Sequence, residues 1–382
     1  MTTMTTSMTP PAPIPLTILT GFLGSGKTTL LNRLLKDPAL QDTVVIVNEF
    51  GEIGLDHLLM EKVDEGMVLL SAGCLCCTVR GDLIATLEDL LRKRDNDRIL
   101  PFKRVVIETT GLADPAPILH AVLYHPYLSM RYAVEGVVTV VDAVNGSATL
   151  DAHREALKQA AVAERIVISK TDLVDDQASI ARLRERLHQL NPGAALLAAD
   201  APAEAVISGG LFGLDGKIAD VAAWLKTEAV EEAERESHAH QDGRHHHDHG
   251  HDHHHHDVNR HDEKIRAFCL TSDAPIRQGT LDMFLDLLRS SQGAKLLRVK
   301  GLVALAEDPE HPVVIHGVQH VIHVPAVLPR WPSGDRRSRI VFIVDDLARE
   351  TVEKLWDAFL GKPAIDQPDA AALSDNPLSL RR

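Results

Sequence analysis

The glycine-rich segment at residues 21–29 constrains the fold more than any other part of this chain. It reads Gly-Phe-Leu-Gly-Ser-Gly-Lys-Thr-Thr, follows an apolar run and precedes a helical pattern. This is G-x-x-x-x-G-K-[ST] between a strand and a helix, which predicts a phosphate-binding loop, or P-loop. Backbone N–H groups and a helix N-terminus surround phosphate oxygens in such a loop. The residues expected to bind the nucleotide are Gly21, Gly24, Ser25, Gly26, Lys27, Thr28 and Thr29.

Four residues from two segments are predicted to act on the bound triphosphate. Lys27 would reach the β- and γ-phosphates, and the Thr28 hydroxyl would bind Mg²⁺. Glu108 ends an apolar run, where P-loop proteins place an acid that supports Mg²⁺, and the Gly111 N–H would meet the γ-phosphate. The next residue is Leu112, where Ras-like GTPases carry the glutamine that orients water, so we expect slow intrinsic hydrolysis.

Short β-branched runs alternate with helical patterns over the first half of the chain. The runs lie at residues 16–20, 43–47, 104–108, 137–142, 165–169 and 195–198. Helical patterns at residues 27–36 and 82–94 place leucines on one face. Strands that are continuously apolar and separated by helices indicate a mostly parallel sheet covered on both faces. The predicted fold class is therefore α/β, a doubly wound, mostly parallel P-loop sheet.

The length of 382 residues predicts at least two domains. After an acidic and histidine-rich stretch, a second unit is predicted with strands at 265–271, 295–305, 313–324 and 339–344 and helices at 280–290 and 348–359. This β-α-β-β-β-α order is near the split βαβ plan. The predicted boundaries are 1–13 for a disordered N-terminus, 14–228 for the P-loop domain, 229–263 for a flexible linker, 264–361 for a smaller α+β domain and 362–382 for a disordered tail.

Charge and composition exclude several classes of protein. The net charge of −14 disfavours broad contact with phosphate backbones, so no nucleic-acid partner is expected. No run of 18 apolar residues occurs, and the N-terminus lacks the basic and apolar regions of an export signal, so no membrane association is expected. Three of the four cysteines lie within four positions, which suits a metal in a reducing compartment. We therefore expect a cytoplasmic protein.

Residues 169–172 read Ser-Lys-Thr-Asp, a variant of the N-K-x-D motif that selects guanine. The Asp172 carboxylate would accept hydrogen bonds from the guanine N1–H and N2 amino group, donors that adenine lacks at that edge. Lys170 would lie along the base, and Ser169 stands where the motif has asparagine. An ordinary strand-to-helix cap is the alternative. GTP is the expected nucleotide.

Cys74, Cys76 and Cys77 form a C-x-C-C segment in a stretch predicted to be extended. Thiolates favour Zn²⁺, Cu⁺ or Co²⁺ over Mg²⁺, and three of them leave a fourth tetrahedral position open. Residues 48–52 indicate a switch segment with carboxylates, or else a plain polar loop. Candidates for the fourth position are Glu49, Glu52, His57, His120 and His125. The cysteines would alternatively be small buried residues, which is the prediction for Cys269 alone in a strand.

Histidine occupies 12 of the 24 positions from 238 to 261, interleaved with aspartate. Imidazole binds Zn²⁺, Ni²⁺, Co²⁺ and Cu²⁺, and a flexible array of imidazoles offers many weak, exchangeable sites. A solvated spacer or an inserted tag is the alternative. The histidines predicted as weak ligands are His245, His246, His247, His249, His251, His253, His254, His255 and His256.

Together these motifs resemble those of the CobW-type metallochaperone GTPases. The resemblance covers residues 14–361 and is carried by the P-loop, residues 48–52, the C-x-C-C segment, Glu-Thr-Thr-Gly-Leu-Ala-Asp-Pro at 108–115, residues 169–172 and the histidine-rich stretch. It implies a GTPase that carries zinc, or cobalt in the cobalamin-pathway branch, to a client metalloprotein. It also implies that Cys74, Cys76 and Cys77 are the metal motif, with Glu49 and Glu52 nearby. Residues 336–340 look like the family's C-terminal strand.

The predicted mechanism couples the nucleotide site to the cysteine site. GTP with Mg²⁺ would order the switch segment, and hydrolysis would release metal by changing the cysteine loop, with a coupling of about 1–3 kcal/mol. A partner, a metal or a homodimer contact would accelerate hydrolysis. Three other functions stay open: a nickel- or cobalt-insertion GTPase, a histidine-based metal store and a P-loop kinase, although no arginine-rich lid is found.

Overall fold

The structure, a computed structural model, describes residues 11–48, 60–62, 68–72, 79–207 and 264–361. The strands of its first sheet are β1 (Ile14–Gly21), β2 (Thr43–Asn48), β3 (Met60–Lys62), β4 (Val68–Ala72), β5 (Arg104–Glu108), β6 (Tyr132–Asp142), β7 (Arg165–Ser169) and β8 (Ala195–Ala198). They lie in the order β3-β4-β2-β5-β1-β6-β7-β8. Neighbouring strands are parallel except β3 with β4. The predicted α/β class with a mostly parallel sheet is confirmed.

Helices cover both faces of this sheet. They are α1 (Lys27–Leu34), α2 (Val79–Asp95), α3 (Ala116–Tyr124), α4 (Pro126–Arg131), α5 (Gly146–Ala152), α6 (Arg154–Val162), α7 (Gln177–Leu190) and α8 (Ala203–Ile207). Because successive strand residues point to opposite faces, Val106 packs with residues of α1 and α8, whereas Val105 and Ile107 pack with residues of α2, α3, α6 and α7. The sheet is therefore doubly wound. No helix in the described ranges has the length and apolar character needed to cross a membrane.

Two features of the first sheet were not predicted. β3 and β4 are short and lie at the sheet edge, where the alternation of apolar runs gives little signal. β6 begins at Tyr132, five residues before the predicted start, because a register shift against β1 skips Glu135. Gly136, next to it, has φ 133°, and a Cβ there would lie 2.8 Å from Glu164 Oε2. A bulge of this kind interrupts the alternation on which the prediction relied.

The second unit is the small α+β domain that the sequence predicted. Its elements are β9 (Ile265–Ser272), α9 (Gln278–Gln292), β10 (Leu296–Val303), β11 (Val313–Val318), β12 (Val321–Ile322), β13 (Ala326–Val327), β14 (Ser338–Asp345) and α10 (Arg349–Phe359). The antiparallel sheet has the order β12-β11-β10-β14-β9, with β13 beside β11. The predicted single strand at 313–324 is wrong, because Gln319 adopts φ 53° and turns the chain into a hairpin. Cys269 is buried, as predicted.

One face of the second sheet packs against the P-loop domain. β10 lies on α6 and β9 on α7, and Leu297, Val318 and Ile343 belong to the same apolar cluster as the first sheet. The opposite face carries α9 and α10, with Phe284 and Trp356 in its core. The two units therefore share one buried apolar cluster, and the C-terminal domain has a second cluster of its own on the opposite face.

A buried ion pair crosses this interface. Arg298 on β10 donates to Glu164 Oε1 and to the Val162 carbonyl, and both charged side chains are almost inaccessible to solvent. Glu164 Oε2 accepts a hydrogen bond of 2.7 Å from the Val137 N–H. Burial lowers the pKa of Arg298, and the Glu164 carboxylate opposes that shift. Since either buried charge would be costly without the other, the pair favours the arrangement of the two sheets that brings Arg298 against Glu164.

Replacing Arg298 by methionine should destabilise the protein strongly. The change leaves the Glu164 carboxylate buried without its counter-charge, so we expect the free energy of unfolding to fall by about 3–5 kcal/mol. Arg182→Met is the matched control, because Arg182 and Asp176 form an exposed pair that should contribute less than about 1 kcal/mol. Urea unfolding followed by circular dichroism measures both values. Equal effects of the two substitutions would contradict this account.

Two histidines stack beside the buried pair. The His316 and His323 rings lie 4.5 Å apart at their centroids and are nearly parallel, and His316 Nε2 is 3.4 Å from Glu164 Oε1. Burial lowers the pKa of His323 to about 4 and holds the pKa of His316 well below its ordinary value, with Arg298 contributing in the same direction. Both rings are therefore neutral at neutral pH.

The His323 ring should make the protein less stable as the pH falls. The unfolded chain binds a proton below the ordinary histidine pKa of 6.5, whereas the folded chain binds it only near pH 4. The contribution of His323 to the free energy of unfolding is complete above pH 6.5 and is lost between pH 6.5 and 4. It amounts to about 3 kcal/mol. Urea unfolding at pH 7 and pH 5 should show a smaller pH effect in His323→Gln than in the wild type. An identical pH effect in both proteins would argue against the shift.

Candidate functional site

The P-loop lies at the carboxyl end of β1, in the geometry that its sequence predicts. Gly21, Gly24 and Gly26 all have positive φ, and Ser25 N–H donates to the Phe22 carbonyl at 3.1 Å. A Cβ at Gly21 would lie 2.4 Å from the Val140 carbonyl oxygen, so only glycine fits between β1 and β6. The loop therefore curls tightly before α1 begins at Lys27.

The Lys27 side chain lies across the loop that it follows. Its Nζ donates to the carbonyls of Gly21 at 2.9 Å and Phe22 at 3.2 Å. Burial lowers the pKa of Lys27, and the nearby Glu108 carboxylate partly opposes this. A buried ammonium whose hydrogen bonds go to neutral carbonyls would gain from an anion at this position. The geometry thus fits the predicted contact with the β- and γ-phosphates.

Thr28 and Glu108 meet beside the P-loop. The Thr28 hydroxyl donates to Glu108 Oε1 at 2.6 Å, although 80 residues separate them. Two further hydrogen bonds hold the end of β5 against β1, from Thr109 Oγ1 to Thr20 Oγ1 at 2.8 Å and from Thr109 N–H to the Leu19 carbonyl at 2.9 Å. A hydroxyl and a carboxylate are hard oxygen donors of the kind that Mg²⁺ accepts alongside water and phosphate. The pair therefore fits the predicted magnesium role, and Thr28 and Thr29 are both solvent-exposed.

The segment after Glu108 touches the P-loop directly. A Cβ at Gly111 would lie 2.5 Å from the Leu23 backbone nitrogen, so the two backbones are in close contact. Gln159 on α6 holds this segment from behind, because its Nε2 donates to the carbonyls of Gly111 at 3.2 Å and Ala113 at 2.9 Å. Gln159 was not predicted from the sequence. The available signal was one polar side chain in the apolar run that ends α6.

Ser169 and Lys170 attach the end of β7 to the P-loop. Ser169 Oγ donates to the Ser25 carbonyl at 2.6 Å, and Lys170 Nζ donates to the Gly24 carbonyl at 2.6 Å. Lys170 adopts φ 56°, which turns the chain so that Asp172 is solvent-exposed beside the loop. The carboxylate is available to a base from solvent. The serine that replaces asparagine thus contacts the P-loop through its hydroxyl.

The predicted metal ligands lie mostly outside the described residues. This holds for Cys74, Cys76, Cys77, Glu49, Glu52, His57 and all the linker histidines. His120 stacks on Tyr124, and His125 Nδ1 accepts from the Leu128 N–H at the start of α4. Among the described side chains, no group of three or more histidine, cysteine, aspartate or glutamate residues is arranged to hold a metal ion. The cysteine site therefore stays a prediction.

Comparison with known proteins decides the family. Residues 15–198 match the CobW/HypB/UreG nucleotide-binding domain, and residues 265–360 match the cobalamin synthesis protein CobW C-terminal domain. The zinc chaperone YjiA of Escherichia coli is 31% identical over 340 residues, which are 89% of this chain and 96% of that protein. The chain belongs to the CobW family.

One solved structure and one further protein are also similar to this CobW-family chain. The crystal structure of Zn(II)-bound YjiA GTPase from E. coli superposes with a TM-score of 0.65 at 27% identity, covering 91% of this chain and 99% of that one. The zinc-regulated GTPase metalloprotein activator 1 of Schizosaccharomyces pombe is 37% identical over 186 residues, 47% of this chain and 44% of that protein. In this chain the match to the nucleotide-binding domain precedes the match to the CobW C-terminal domain, which is the order of the two described units.

Substituting Gly111 by alanine should weaken binding of the triphosphate. The added methyl would press on the Leu23 backbone and push the segment away from the P-loop. Overpacking costs about 1–3 kcal/mol, which corresponds to a loss of affinity of roughly 5- to 150-fold. We expect a loss in this range for a non-hydrolysable GTP analogue and a smaller loss for GDP, both measured by calorimetry. Gly279→Ala is the control, since nothing lies within 4 Å of a Cβ there. Unchanged analogue affinity in the Gly111 variant would contradict the proposed contact.

Proposed function

We propose that this chain is a GTP-hydrolysing metallochaperone that binds Zn²⁺, or Co²⁺, at Cys74, Cys76 and Cys77 and delivers it to a client metalloprotein. The observation that carries the proposal is the hydrogen bond from Thr28 to Glu108, which brings the P-loop and the end of β5 into one site. Relatives named as zinc chaperones and zinc-regulated GTPases support the choice of metal.

The chain's own residues supply a complete phosphate site. Lys27 offers its ammonium, the loop offers backbone N–H groups, and Thr28 with Glu108 offers oxygen donors to Mg²⁺. Magnesium, when bound with GTP, neutralises charge on the phosphates. Asp172 would select guanine from the exposed edge. These roles explain why so many buried polar side chains converge at one edge of an apolar sheet.

Hydrolysis by this site is expected to be slow without help. Leu112 occupies the position after Gly111, is 46% exposed, and has no group that can orient water. Leu23, in the P-loop, is 60% exposed. Two exposed leucines beside the phosphates offer an apolar contact to whatever accelerates the reaction. We propose that this partner is a second copy of the chain or the client protein.

The described strands explain how the cysteine segment would sense the nucleotide. β4 ends at Ala72, just before the cysteines in sequence, and pairs with β2 so that Ala72 lies beside Asn48. β2 pairs in turn with β5, with Val47 beside Glu108. Since neighbouring strands are about 4.8 Å apart, the chain leaves β4 roughly 10 Å from Glu108. The switch segment at 48–52 begins between these two points, and a cytoplasmic location would keep the thiols reduced.

Zinc affinity should depend on the nucleotide state. We expect Zn²⁺ affinity, measured by competition with a chromophoric chelator, to differ roughly 5- to 150-fold between the GTP-analogue and GDP states. The difference should vanish when Cys74, Cys76 and Cys77 are all changed to serine and persist when residues 237–261 are deleted. The same titration with Co²⁺ and Ni²⁺ identifies the preferred cargo. Equal Zn²⁺ affinity with no nucleotide, GTP analogue and GDP would defeat the proposal.

A further inference from the structure

The hairpin turn between β11 and β12 reaches from the C-terminal domain to the nucleotide site. Gln319 at this turn is almost fully buried, and its Nε2 donates to Asp114 Oδ2 at 2.6 Å. Asp114 is three residues after Gly111, in the segment that contacts the P-loop. This hydrogen bond therefore joins the C-terminal domain to the segment expected to detect the γ-phosphate.

The turn itself is held firmly. Gln319 N–H donates to the Leu297 carbonyl on β10 at 3.3 Å, and the flanking Val318 and Val321 are buried, Val318 in the core that both domains share. Gln319 adopts φ 53°, a left-handed conformation that costs energy in a residue with a side chain. Such a conformation persists where its surroundings fix it. The Gln319 amide is thus presented from a rigid support.

The segment from Gly111 to Asp114 is held at both of its ends. Gly111 lies against Leu23 of the P-loop, and Gln159 binds the carbonyls of Gly111 and Ala113. Asp114 uses one carboxylate oxygen for the Ala116 N–H, at the start of α3, and the other for Gln319. Gly111 and the Asp114 carboxylate that Gln319 holds are therefore parts of one short segment that is fastened at both ends.

We propose that Gln319 is a positioning residue for GTP, through which the C-terminal domain sets how strongly the site discriminates GTP from GDP. The proposal rests on the proposed function only in that residues 108–111 detect the γ-phosphate. A hydrogen bond to an ionised carboxylate is stronger than one between neutral groups, and the Gln319–Asp114 bond is partly buried. Because coupling between sites is reciprocal, GTP binding would in turn act on the hairpin.

The proposal is tested by exchanging the donor and the acceptor of the hydrogen bond between Gln319 and Asp114. Gln319→Glu places a second carboxylate against Asp114, which should repel the segment from the P-loop. Adding Asp114→Asn restores a donor and an acceptor with their roles exchanged. We expect the ratio of GTP-analogue to GDP affinity to fall about tenfold in Gln319→Glu. In the double variant the ratio should return to within about threefold of the wild type.

The matched control is Tyr124→Phe at the same interface. The Tyr124 hydroxyl donates to the Ile322 carbonyl at 3.0 Å and accepts from the Ile322 N–H at 3.2 Å, so its loss weakens the contact between α3 and β12 without touching Asp114. The affinity ratio should be unchanged in this variant. A merely structural role for Gln319 would lower both nucleotide affinities together and leave the ratio as it was.

The affinities are measured by calorimetry on the full chain without added zinc, with thermal melting as a check of folding. If folded Gln319→Glu keeps the wild-type ratio of GTP-analogue to GDP affinity, or if the double variant does not recover that ratio, the proposed role of Gln319 is wrong. The proposed function is not affected by either result. If Gln319→Glu does not fold, Gln319→Leu replaces it, with the same expected fall and the same refuting result. A wild-type chain that binds GTP and GDP but shows one Zn²⁺ affinity in both states would refute the zinc coupling and leave this proposal intact.

Discussion

The position of β1 between β5 and β6 is the constraint on which the nucleotide site depends. All three strands are parallel, so their carboxyl ends meet at one edge of the sheet, and Leu19 lies directly beside Glu108. The loop after β1 consequently meets the acid that ends β5, and Thr28 can donate to Glu108 across 80 residues of sequence. β7, one strand further along, brings Ser169 and Lys170 to the same edge.

Each part of the predicted site carries a local signal in the sequence. The P-loop, the acid after an apolar run and the Ser-Lys-Thr-Asp segment are short motifs whose neighbours along the chain define their context. Gln159 and Gln319 were not predicted, because each acts on a segment more than 40 residues away and is embedded in an ordinary apolar pattern. The hairpin at Gln319 was also missed, since glutamine gives no turn signal and its left-handed backbone is held by tertiary contacts, among them the hydrogen bond to Leu297 and the burial of Val318 and Val321.

The interface between the two domains is packed like a protein core and does not resemble a flexible hinge. Apolar side chains of β10 and β14 enter the cluster of the first sheet, and the Glu164–Arg298 pair lies inside it with its charges removed from water. Breaking such a contact would expose apolar surface and separate two buried charges, which is costly. Nucleotide-dependent movement within the described residues is therefore expected in the segments at the sheet edge, with the two sheets moving as one body.

The nucleotide and a soft metal ion such as Zn²⁺ need different ligands, and this limits how the nucleotide state could affect binding of the metal. Mg²⁺ with phosphate requires oxygen donors, whereas Zn²⁺ is held well by thiolates, so one set of ligands cannot serve both. If the cysteine segment holds the metal as proposed, the width of β2 would separate the two sites, since Glu108 ends β5 and the cysteine segment follows β4 in sequence. A separation of two strands, about 10 Å, is too long for shared ligands and short enough for one intervening segment to contact both sites. Asn48, the last residue of β2, lies between these two points in the strand order, and the predicted switch segment at 48–52 begins there.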